Sequence, residues 1–140
     1  MSSNRYFSLD QANRALLEVK QLLLRLKEVH ASARRTKERL DLLWQRLETG
    51  EPVLDEIATL QQRLDADSQE FGSTVGGLEE IGCLLRDVEV GLVDFPAHTG
   101  SSEIYLCWKL GEDAIHYWHG LDEGYAGRKP LATMPGSRLH

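Results

Sequence analysis

The residues able to do chemistry gather in the last third of the chain: Asp94, Cys107, His116, His119 and Arg128, interleaved with Tyr105 and Trp118. A thiol, an imidazole and a carboxylate together are the donor set of a transition-metal site, zinc for example. The same carboxylate beside an imidazole is the minimum for a general base, and Arg128 in a glycine-rich stretch can take a small anion. The spacing is not that of a ready-made motif. No Cys-x-x-Cys, nucleophile elbow, phosphate-binding loop or dinucleotide fingerprint occurs, so each residue also has a plainer role. Cys107 can be a buried thiol, the histidines hydrogen-bonded structural groups, and Glu112 a solvated turn residue.

Whether these groups meet depends on the elements that carry them. Alternating aromatic and β-branched residues predict three strands, in 91–95, 103–110 and 113–119. Gly111-Glu112 between the last two suits a type II′ two-residue hairpin. That turn sets Cys107 opposite His116 and Tyr105 opposite Trp118. One face then carries Leu106, Trp108, Leu110, Ile115 and Tyr117, with His119 pointing the same way as a core histidine. The other carries Tyr105, Cys107, His116 and Trp118, with Asp94 beside Tyr105. Cys107, His116 and Asp94 are thereby the expected metal ligands, and the polar-aromatic face is the expected binding surface.

Upstream the period is helical. Ser8 and Gln11 form a capping box, and apolar or small residues recur every seven positions from Ala12 through Val19, Leu26, Ala33 and Leu40 to Leu47. A second row runs through Ala15, Leu22, Val29 and Leu43, with Thr36 the polar member of the seam. Gly50 and Pro52 stop this helix, read over 8–49. Ile57, Leu64, Phe71 and Leu78 predict a second over 53–82, weakened at Gly72, Gly76 and Gly77. The short connection makes the two an antiparallel hairpin. The expected architecture is α+β, a long helical hairpin with a small three-stranded antiparallel sheet at its open end. Residues 83–131 form the sheet and closing loop, and 132–140 a loose tail.

The strings Gly91-Leu92-Val93-Asp94-Phe95-Pro96, Leu106-Cys107-Trp108-Lys109-Leu110-Gly111-Glu112, Tyr117-Trp118-His119 and Gly124-Tyr125-Ala126-Gly127-Arg128 carry a resemblance. With Tyr6-Phe7-Ser8-Leu9-Asp10-Gln11-Ala12-Asn13 at the start, they resemble the bacterial family catalogued as domain of unknown function 2203. The resemblance spans nearly the whole chain, and it implies no activity, cofactor or catalytic residue.

Composition bounds the function. A chain of 140 residues with net charge -6 has room for one domain and lacks the basic surplus of a nucleic-acid binder. The run Arg34, Arg35, Lys37, Arg39 is expected to face Asp65, Asp67 and Glu70 across the hairpin. No signal peptide or apolar run of membrane-spanning length is present, and two cysteines suit a reducing compartment, so the expected location is cytoplasmic. Cys83 and Cys107 lack the setting of a redox pair. Two helices bury only one seam, and the distal half of the hairpin has no sheet to cover it, so a homodimer through the helices is expected. Two functions fit: a non-enzymatic interaction or small-ligand-binding protein presenting the sheet face, or a metal- or ligand-dependent enzyme using the Asp/Cys/His cluster.

Overall fold

The computed structural model describes residues 5–100 and 102–134. Helix α1 spans Leu9–Glu48 and α2 spans Leu54–Ile81, packed against each other along their lengths. The start of α1 is fixed by reciprocal bonds: the Gln11 amide donates to Ser8 Oγ and the Ser8 amide to Gln11 Oε1, each at 3.0 Å. At about 1.5 Å per residue α1 is roughly 60 Å long. Its buried stripe runs through Ala12, Val19, Leu23, Leu26, Val29, Thr36, Leu40 and Leu43. Helix α2 continues through its three glycines and ends at Gly82, whose φ of +109° is the left-handed cap that a side chain would strain.

The sheet has five strands where three were expected. They are β1 (Leu84–Asp87), β2 (Leu92–Thr99), β3 (Ser102–Lys109), β4 (Tyr117–Gly120) and β5 (Lys129–Pro130), in the order of the chain and antiparallel throughout. The two additional strands are short edges. Leu84–Asp87 and Lys129–Pro130 offer too few residues for an alternating pattern to show.

The core lies between the proximal half of the hairpin and one sheet face. Val19, Leu23, Leu26 and Leu78 meet Val93, Phe95, Leu106, Trp108 and Trp118 there. A second, smaller cluster of Leu40, Leu43, Ile57 and Leu60 holds the distal hairpin. The chain remains part of the body beyond residue 131. Leu131–Thr133 form a 3₁₀ turn, Met134 is buried in the core, and Trp118 Nε1 donates to Thr133 Oγ1 at 3.3 Å. The expected loose tail therefore does not begin at Ala132; residues 135–140 lie outside the described residues.

The β3–β4 connection also differs from the expected two-residue hairpin. It runs from Leu110 to His116, with Gly111 at φ +106° and the Glu112 amide donating to the Lys109 carbonyl at 3.0 Å. Ile115 is buried in the core, and its amide donates to Asn13 Oδ1 of α1 at 2.9 Å. Burying Ile115 against the helices moves the strand start to Tyr117. Cys107 therefore pairs with Tyr117, Leu106 with Trp118 and Tyr105 with His119. A one-residue shift exchanges the faces of β4, so Trp118 joins the core and His119 the outer face.

Charges on the hairpin are answered across it, with partners other than those expected. Arg39 pairs with Glu56 and Arg25 with Glu70, Asp67 accepts from Ser32 Oγ at 2.9 Å, and Arg34 turns instead to Glu89 in the β1–β2 turn. Among the described residues no helix is long and apolar enough to cross a membrane.

Candidate functional site

On the outer face Asp94 of β2 lies opposite Cys107 of β3, and Cys107 opposite Tyr117 of β4. His119, two residues further along β4 on the same face, reaches diagonally back to Asp94. These groups are buried although they face away from the helices: Asp94 is 1% exposed, Cys107 0% and His119 2%. The polar cluster occupies one patch under the 121–128 segment.

Asp94 is the centre of the cluster. Arg86 Nε donates to its Oδ2 at 2.8 Å, and His119 Nε2 lies 3.0 Å from both carboxylate oxygens. Burial opposes the Arg86 charge, but the hydrogen bond and charge of Asp94 outweigh it and leave the guanidinium pKa raised. Arg86 also stacks over Tyr105, 4.9 Å from the ring centroid, and Tyr105 stands beside the His119 ring at 5.5 Å. The other imidazole nitrogen, Nδ1, is 2.9 Å from the Gly120 carbonyl. A carbonyl only accepts, so Nδ1 carries a proton and Nε2 is the nitrogen turned to the carboxylate.

Burial above all, joined by the neighbouring Asp94 and opposed by Arg128, pushes the Cys107 thiol up to about 12. Left to itself this sulfur is a neutral thiol. Arg128 is held beside it by a two-oxygen contact, Nη2 donating to Glu112 Oε1 at 2.8 Å and Oε2 at 2.6 Å. Its guanidinium lies between the rings of Tyr117 at 4.0 Å and Tyr125 at 4.9 Å. Buried Arg128 Nε has no hydrogen-bond partner among the described residues.

The covering segment is tied down by Glu123, whose Oε1 accepts from the Gly120 amide at 2.8 Å and from Lys129 Nζ at 2.6 Å. Between it and β1–β2 a cleft of about 460 Å³ opens, lined among others by Arg86, Asp94, His119, Glu123 and Tyr125. The cleft thus ends on the buried carboxylate and imidazole.

The structure brings together Asp94, Tyr105, Cys107 and His119, with Arg128 on the thiol side. His116 and Trp118 are not part of the cluster. His116 is exposed and bonds Asp113 Oδ1 at 2.8 Å, and Trp118 packs in the core. The imidazole near Cys107 is therefore His119 instead of the expected His116, since β4 is shifted by one residue. Glu112 is the half-buried partner of Arg128 instead of a solvated turn tip. Sequence reasoning did not find Arg86 or Tyr117 as members of the site. Arg86 sits on an edge strand too short to read, and Tyr117 follows from the register alone. One Asp94 oxygen, Cys107 Sγ and one His119 nitrogen lie within 4.8 Å of one another. Cys83, the second free thiol, is buried separately, with Sγ 3.6 Å from the Leu78 carbonyl.

The fold and this outer-face cluster define an α+β protein, a helical hairpin backed by an antiparallel meander with a polar site on its free face. The chain belongs to the family of uncharacterized conserved proteins DUF2203, whose model matches residues 5–131. No curated protein matches the chain, and no solved structure does.

Proposed function

We propose that the protein is a non-enzymatic small-ligand-binding protein of the cytoplasm that works as a homodimer and receives its ligand in the outer-face cleft. The observation that carries this reading is the burial of Asp94, at 1% exposure, and of His119 at the floor of an open cleft, with Arg86 paired to the carboxylate. Taking such charges out of water costs several kcal/mol per ion in real proteins, and apolar residues of similar volume stabilise a sheet face at least as well. A charged floor is thus expensive as scaffolding and well suited to orienting a polar ligand. Exposed Leu42, Trp44 and Leu54 on the distal hairpin support the dimer, since that part has only a small core of its own. The two free, buried thiols suit a reducing compartment.

Catalysis by Cys107 as a nucleophile is disfavoured by its raised pKa, because the thiolate is the reactive form. Native mass spectrometry of the full chain, purified without added ligand, tests the binding reading. The expected result is a mass excess that disappears under denaturing conditions and is absent from folded Asp94→Asn and Arg86→Gln variants. An unmodified mass, or an adduct equally present in both variants, would overturn it.

A further inference from the structure

We infer that the Asp94–Cys107–His119 cluster is a binding site for one transition-metal ion of the zinc class, held by a carboxylate oxygen, Cys107 Sγ and His119 Nε2. The inference rests on the ligand-binding reading and names what occupies the floor of that cleft. Its first support is a mismatch of hydrogen-bond polarity. His119 Nδ1 is committed to the Gly120 carbonyl, so neutral imidazole presents a lone pair to a carboxylate, acceptor against acceptor at 3.0 Å. A positive charge belongs between them, either a second proton or a metal ion.

The third donor favours the metal. An imidazolium–carboxylate pair needs no sulfur, yet Cys107 Sγ lies within 4.8 Å of the other two donor atoms. Nitrogen, sulfur and oxygen ligands with the remaining position open are the pattern of zinc sites that keep an exchangeable ligand, and thiolate with imidazole selects zinc over magnesium or calcium. The cleft reaches Asp94 and His119 and supplies both entry and that open position.

The surroundings are those that orient metal ligands. The Gly120 carbonyl fixes the His119 tautomer, and Arg86 holds Asp94 by Oδ2, leaving Oδ1 for the ion. Arg128 stands on the thiol side of the cluster, 4.0 Å from the ring of Tyr117, the β4 residue opposite Cys107. On binding, the Cys107 sulfur forms its bond to the ion and its proton passes to solvent. The two anionic ligands then neutralise the dication.

The test is titration of the full chain, stripped by chelator dialysis and shown to be folded by circular dichroism, with cobalt(II) as the probe. The expected result is one cobalt per chain, with the strong visible bands of a low-coordinate site and a near-ultraviolet sulfur-to-cobalt transition, all displaced by one equivalent of zinc. Cys107→Ser should lose the sulfur transition, His116→Ala should titrate as wild type, and Arg128→Gln should bind roughly 10- to 100-fold more weakly. No spectral change in folded wild-type protein, or a sulfur transition that survives Cys107→Ser, overturns the inference. If cobalt leaves no trace while the Asp94-dependent mass adduct persists, the metal falls and the binding reading stands. If the adduct is missing as well, both fall.

Discussion

The Ile115 amide donates to Asn13 Oδ1 at 2.9 Å, joining the β3–β4 connection to α1. With Ile115 in the core, this link fixes where β4 begins, and the start of β4 decides that His119 faces Asp94. A helix residue remote from the cleft thus positions the site.

Asn13→Ala should therefore act on both stability and binding. Leaving the buried Ile115 donor unpaired should cost about 1–3 kcal/mol by denaturant unfolding. Cobalt affinity should fall with it as β4 loosens. A variant that loses stability but binds cobalt as wild type would show that the register is held by Ile115 packing alone.

The same contact explains how far the sequence could be read. The helices were legible because their seams repeat over many turns and their ends carry strong local signals in Ser8, Gln11, Gly50 and Gly82. Asp94, Cys107 and Arg128 were legible as chemistry-bearing residues. Their histidine partner was not, because Gly111-Glu112 is equally compatible with a two-residue hairpin and with the longer connection observed. Only the burial of Ile115 between sheet and helix separates the two, and that is a tertiary contact absent from local pattern. Met134 illustrates the same limit: one apolar residue near Pro135 and Gly136 has no period, yet it completes the core.

His119 and His116 should behave oppositely. In chelator-treated protein His119→Ala removes a partner from the buried Asp94 carboxylate and should cost about 3 kcal/mol, with Arg86 limiting the damage. His116→Ala, at an exposed site, should leave the denaturant midpoint unchanged. Equal loss in the two would place the wrong histidine in the cluster.

Cys83 should be chemically silent in the native state. Burial pushes its thiol up to about 12, so it stays protonated and shielded throughout the neutral and mildly alkaline range. Disulfide-exchange labelling at pH about 8, followed by peptide mass mapping, should modify Cys83 only as fast as the protein opens. Rapid labelling before unfolding would contradict its placement.

Two kinds of hairpin substitution should separate association from folding. Trp44→Glu with Leu54→Glu alters exposed positions, so sedimentation should show a monomer whose helix content is intact. Leu43→Ala instead opens a cavity in the distal cluster and should cost about 2–5 kcal/mol. A wild-type chain that sediments as a monomer at every concentration would rule out the dimer.

The last expectation concerns acid. The hydrogen bond from Lys129, together with the Gly120 amide, holds the Glu123 carboxyl below the usual carboxylate range. A depressed pKa means that this tie is fully present above the unfolded value, about 4.3, and is lost as pH falls through the folded one. The 121–128 segment should then loosen over the cleft while the helical core persists. Amide exchange at Gly120 and along this segment, followed down the pH scale and corrected for intrinsic rates, should show protection disappearing in that window. Glu123→Gln keeps the shape but removes the titrating charge, so its segment should be less protected at neutral pH and show no acid step. An unchanged step in Glu123→Gln would mean that another group closes the cleft.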